Sequence, residues 1–199
     1  MPQSPLSFNL KNPTTGAMEP FLADKQQSAL FSQFHGSKYH SAYLSALFWA
    51  ANSAAGTTSS GLTTTYVGIC VSNPAGSAVN VILRRASYSL VVASTCGVGL
   101  ITGYAVGGVT AHTVALTPAA SLINSAATPI AKADSSATIV GTPAWTQFFG
   151  AFSSAVGTGT VDFEGGIILP PGAYAAIGTT AASGSSAFWG AFEWQEYPV

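Results

Sequence analysis

Two carboxylates, Asp162 and Glu164, stand two residues apart in a stretch with the alternation of a β-strand, a spacing that aims both side chains from one face. Carboxylates about 5–9 Å apart are the working pair of glycoside hydrolysis, and same-face strand neighbours fall in that range. The interleaved Val161 and Phe163 argue for a different arrangement, in which the apolar side chains face a core and the acids face water. The expectation is a solvated strand face without catalysis. The histidines add no metal pair. His35 and His40 are five apart, which suits neither a helix face nor a strand period, and His112 stands alone in a neutral stretch expected to be loop. The G-x-S-x-G nucleophile elbow is absent. Cys70 lies in an apolar strand pattern with no histidine near it in sequence, so it reads as a buried structural thiol. Cys70 and Cys96 make no disulfide framework. Trp145, Trp189 and Trp194 could stack on sugar rings, but packing in a core or an interface is the preferred reading of each. The chain is thus read as non-enzymatic, with no catalytic, metal or cofactor-binding residue.

What the chain lacks says more. Only 7% of its 199 residues are charged, against about 25% in an average soluble domain. The hydrophobic share, 48%, is ordinary, so Ala, Ser, Thr and Gly replace the charge rather than a larger core. No Asp, Glu, Lys or Arg lies between Tyr39 and Leu83, nor between Ala86 and Ala131. Few charges and a net charge of -1 favour association over life as a free monomer. Arg84-Arg85 is the only adjacent pair of cations, which excludes a nucleic-acid surface. The apolar run at 44–51 is too short to cross a bilayer, and irregular Gly and Pro spacing fits a transmembrane barrel poorly. The N-terminus lacks the basic and apolar regions of a secretory signal, so synthesis in a reducing cytoplasm is expected.

The elements divide near residue 38. Residues 1–38 hold five of the thirteen charges and four of the eleven prolines. At that proline density, residues 1–22 are expected to be extended and unpaired. Leu6, Phe8, Leu10, Phe21 and Leu22 stud this arm and want a partner surface, either a neighbouring subunit or the chain's own domain. A short helix is expected over 24–36, capped by Asp24 with Gln27 and ended by Gly36, with Leu30, Phe31 and Phe34 on one face. The partner-binding set is Leu6, Phe8, Leu10, Phe21, Leu22, Phe31 and Phe34.

From 39 to 199 the signals are strands and turns. Thr65, Val67, Ile69 and Val71 alternate with Tyr66, Gly68 and Cys70, and runs at 79–92, 98–106, 161–169 and 173–179 follow. Gly165-Gly166 marks a bulge. At the end, Phe188, Phe192 and Trp194 share a parity opposite to Trp189, Glu193 and Gln195. The Ala/Ser/Thr-rich stretch 107–143 reads as long loops with short strands. The expected fold is all-β: a jelly-roll β-sandwich over 39–199, preceded by the extended N-terminal arm of 1–38 with its one short helix.

Thr63-Thr64-Thr65-Tyr66-Val67-Gly68, Val71-Ser72-Asn73-Pro74-Ala75-Gly76-Ser77, the strand at 79–88 and Leu169-Pro170-Pro171-Gly172-Ala173-Tyr174 resemble the strand-turn signature of tailed-bacteriophage capsid cement (decoration) proteins with a jelly-roll domain. The resemblance covers about residues 39–199. It implies a homotrimer on the outer capsid surface of the virion, made in the host cytoplasm, that stitches neighbouring major capsid protein subunits together. A phage tail, neck or fibre component is the alternative within the virion. A carbohydrate-binding β-sandwich is the alternative outside it.

Overall fold

The computed structural model describes residues 7–11, 18–22, 46–58, 65–91, 97–104, 108–139, 144–146, 157–179, 181–183 and 187–199. The chain divides into two compact units, Met1–Ser41 and Ala42–Val199.

In the first unit, β1 (Ser7–Lys11) and β2 (Met18–Leu22) pair antiparallel, with Phe8 opposite Phe21 and Asn9 opposite Pro20. The unpaired arm expected from proline content is therefore corrected to a ribbon. Each strand of a two-stranded ribbon keeps one free edge, where a proline without an N–H is tolerated. The helix expected over 24–36 lies outside the described residues, as do Leu6, Phe31 and Phe34.

The second unit is all-β. Its strands are β3 (Leu47–Ala51), β4 (Thr65–Ser72), β5 (Val79–Leu90), β6 (Val98–Tyr104), β7 (Val109–Ala115), β8 (Ala119–Ala120), β9 (Lys132–Ile139), β10 (Ala144–Thr146), β11 (Gly157–Leu169), β12 (Ala173–Thr179) and β13 (Phe188–Pro198). They form two antiparallel sheets consistent with a β-sandwich, in the orders β10-β6-β12-β4-β9-β7 and β11-β5-β13-β3-β8. The pairing is nested. β3 pairs β13, β4 pairs β12, β5 pairs β11 and β6 pairs β10, so early strands meet late ones in reverse order.

Inward-facing side chains of both sheets make the main core, including Phe48, Ile69, Val71, Leu83, Leu100, Ile177, Phe188, Phe192 and Trp194. Ile69 and Val71 point inward from β4 as their alternation predicts. Tyr66 and Cys70, on the other parity, join Ile101, Ile139, Tyr174 and Ala176 in a second buried cluster. β12 is buried at every residue, as befits a strand covered on both faces.

β5 changes phase in mid-strand. Val81 and Leu83 are buried on one parity, Ala86, Tyr88 and Leu90 on the other. The register with β13 shifts at the same place: Glu193 faces Arg85 and Trp194 faces Leu83, which leaves Arg84 as the extra residue. The adjacent arginines sit where a strand can turn two consecutive side chains away from its core. On β11 the register shifts between Asp162 and Ile167, with Glu164 at φ 51° and Gly165 at φ 83°, so the expected bulge at Gly165-Gly166 is present.

Two turns of one kind lie against each other. Pro74 to Ser77 closes with Ser77 N–H on the Pro74 carbonyl (3.1 Å), and Pro170 to Ala173 closes with Ala173 N–H on the Pro170 carbonyl (2.9 Å). Each has glycine third, Gly76 at φ 76° and Gly172 at φ 89°, as a type II turn requires. Asn73 links them: its N–H donates to the Ala173 carbonyl (2.8 Å), and its own carbonyl accepts from Gly172 (2.9 Å). Its Nδ2 donates to the Val79 and Leu169 carbonyls at 2.8 and 2.9 Å.

The loop reading of 107–143 is corrected in part. β7 and β9 are strands of seven and eight residues that extend the larger sheet beyond β4, while β8 adds a short edge beside β3. The Ala, Ser and Thr that fill them give little contrast between buried and exposed positions, so no period shows. From Ser121 to Ala131 the chain is irregular. Two of its backbone N–H groups, on Ile130 and Ala131, donate to the Glu196 carboxylate, each at 2.9 Å.

Candidate functional site

The outer face of the five-stranded sheet gathers the groups best suited to meet a ligand. On β13, Phe188, Phe192 and Trp194 are turned inward, which forces Trp189 outward, where it is 38% exposed. On β3, Phe48 and Ala50 are buried, so Trp49 points outward at 46% exposure. Ala51 faces Ala191 and Trp49 faces Glu193, which sets both indoles on one face. They are four residues apart along β13 and one strand over, roughly 14 Å by strand geometry.

Rows of small polar residues run across that face. Thr158, Ser89 and Trp189 make one row, and Thr160, Ser87, Ala191 and Ala51 the next. Asp162, Arg85, Glu193 and Trp49 make the third. The first two rows line an open concavity of about 320 Å³ walled by Trp189. Its floor is set by the packing beneath. A Cβ on Gly159 would overlap the Tyr88 ring, and one on Gly190 would overlap Phe188 and Ile69. Asn52, itself buried, fixes the wall: Nδ2 donates to the Phe188 carbonyl (3.0 Å) and Oδ1 accepts from Gly190 N–H (2.5 Å).

Asp162 and Glu164 are both exposed, as expected, and Phe163 between them packs against the core. Asp162 is engaged in an ion pair. Arg85 holds Asp162 in a two-pronged bond, Nε to Oδ1 at 3.1 Å and a terminal nitrogen to Oδ2 at 3.0 Å. The Asp162 carboxylate in turn raises the pKa of the guanidinium, through the hydrogen bond first and its charge second. Glu164, at positive φ, opens the bulge and leaves the regular alternation.

His112 does not stand alone in a loop. It lies on β7 and its Nδ1 is 2.7 Å from Oδ2 of Asp134, which is fully buried on β9. The register Cys70 opposite Asp134 brings the acid beside the buried thiol. Burial raises the Asp134 pKa, with His112 and Lys132 pulling the other way. Its second oxygen, Oδ1, has no hydrogen-bond partner among the described residues. Burial, with the Asp134 charge second, pushes the Cys70 thiol far up, and burial lifts the Tyr174 hydroxyl to about 12. These shifts suit a structural thiol and no nucleophile. A carboxyl whose folded pKa is raised stabilises the fold fully below its ordinary value, about 4, and that contribution is lost as pH rises through the folded value. Asp134→Asn keeps an acceptor for His112 but cannot ionise. Its stability relative to the parent, followed by urea unfolding, should therefore climb as pH is raised from acid through the Asp134 titration; a flat difference would contradict this.

Trp194 is fully buried, its ring 6.3 Å from that of Phe48, so it is a core residue and not a stacking platform. Trp145 falls on β10, its backbone opposite Ile101. Phe8 and Leu10 lie on β1, Phe21 and Leu22 on β2. His35, His40 and Cys96 lie outside the described residues. Among those residues no group of three metal-ligating side chains occurs, and no helix is long and apolar enough to cross a membrane. Sequence reading missed Trp49, because every residue from Leu47 to Ala51 is apolar and the run carries no contrast between faces. Compared with known protein families, with curated protein sequences and with solved structures, the chain matches none.

Proposed function

We propose that the chain is a virion structural protein: a jelly-roll subunit that forms a homotrimer on an outer capsid surface and stabilises contacts between major capsid subunits. The nested strand pairing carries this reading. A jelly roll is one long antiparallel ribbon wound into two sheets. Such winding takes four nested pairs and gives the orders β3-β13-β5-β11 and β4-β12-β6-β10, both of which are contained in the sheets. β7, β8 and β9 then read as an insertion between the two strands of the innermost pair, β6 and β10.

The distribution of charge supports the assembly role. In Ala42–Val199, Asp134 is buried and Arg85 and Asp162 neutralise one another. Around a rotation axis each charge meets its own copies, so a neutral surface suits a symmetric contact. A protein that binds only the assembled shell stabilises it by mass action. Sedimentation equilibrium should return three times the 20.1 kDa chain mass, and the protein should co-sediment with capsids of the phage that encodes it. A stable monomer that ignores those capsids would sink the proposal.

A further inference from the structure

We infer that the outer face of the five-stranded sheet is a binding site for a linear, neutral glycan, stacked on Trp189 and running toward Trp49. A pyranose ring offers one apolar C–H face and a rim of hydroxyls. The first wants an aromatic plane, and the second wants small polar partners beside it. Trp189 supplies the plane, 38% exposed at the wall of a concavity of about 320 Å³. Ser87, Ser89, Thr158 and Thr160 supply the partners along the same floor. None of these four hydroxyls is engaged in a hydrogen bond with another described residue.

Charge selects the class of polymer. The two rows nearest Trp189 carry no ionisable group. In the third row, Asp162 and Arg85 neutralise one another and Glu193 stands beside Trp49, so an acidic polysaccharide finds no surplus cation. A second copy of this chain fits the shelf less well. An apolar protein face would strip water from four hydroxyls without replacing their bonds, whereas sugar hydroxyls exchange those bonds one for one. The separation of the two indoles, roughly 14 Å, favours an extended chain of sugars over a single ring.

The test begins with the full chain on a printed array of neutral and acidic glycans, followed by calorimetric titration with the neutral oligosaccharide that scores best. Binding with a shift in tryptophan emission is expected. Trp189→Ala should weaken it at least about tenfold, roughly the effect of 1.4 kcal/mol, with an unchanged thermal melt. Thr160→Val, which keeps the shape of the floor, should weaken it less. Trp49→Ala should lower affinity for long oligosaccharides and spare short ones. The inference fails if no neutral glycan binds, or if binding survives Trp189→Ala. It also fails if Trp189→Ala dissociates the oligomer and no sugar competes, which would make this face a contact between copies.

Discussion

Trp194→Ala is expected to cost about 3–5 kcal/mol of folding stability, the range for deleting a large aromatic side chain from a core. The indole is fully buried, packs beside Phe48 and donates from Nε1 to Glu196 Oε1 at 3.2 Å. The same carboxylate receives the N–H groups of Ile130 and Ala131, so the residue helps to seat the strand that carries the anchor for the irregular segment. The loss should appear as a lower urea midpoint with an unchanged slope, and as a fall in melting temperature of about 6–20 °C. Trp189→Ala, on the opposite parity of the same strand, should stay within about 1 kcal/mol of the parent. Equal losses in the two variants would overturn the assignment of core and outer faces on β13.

Asn73→Ala should cost about 2–4 kcal/mol, chiefly through lost hydrogen bonds. Its amide donates to two carbonyls, of Val79 and Leu169, and its Oδ1 accepts from Ser77 Oγ at 2.5 Å. Removing a side chain that satisfies buried partners costs their desolvation, about 1–3 kcal/mol for each group stranded. Asn73→Asp is the sharper probe. It retains an acceptor for Ser77 but points a carboxylate at two carbonyls, so it should be worse than alanine at neutral pH. Below the carboxyl pKa the protonated acid can donate once, and part of the loss should return. A variant indifferent to pH would show that the amide does not join the two turns.

These two sites were unequally legible. The Asn-Pro and Pro-Pro-Gly turns announce themselves, because proline fixes one torsion and glycine permits the positive one that follows. That they touch is invisible, since nearly a hundred residues separate Asn73 from Leu169. The inward set Phe188, Phe192 and Trp194 could be read from parity, although Gln195, on the outward parity, is also buried. The phase change in β5 was written in the spacing of Leu83 and Tyr88, five apart, which no uninterrupted two-residue period allows. β7 and β9 were illegible for want of hydrophobic contrast, and with them the His112–Asp134 pair, whose partners lie 22 residues apart. The shelf was half visible: Trp189 by its parity, Trp49 not at all.

The nesting of the strands also has a cost in time. Trp49 cannot find Glu193 until the ribosome has added the 144 residues from position 50 through 193. At ordinary elongation rates that is roughly 7 to 30 seconds. Through that interval the edges of β3 and β5 that take β13 stand open beside the exit tunnel, with little charge to keep neighbouring nascent chains apart. Shorter pairings close sooner: β3 with β8, then β7 and β4 with β9, then β6 with β10. Synthesis on crowded polysomes therefore calls for chaperones that reach the chain before its neighbours do.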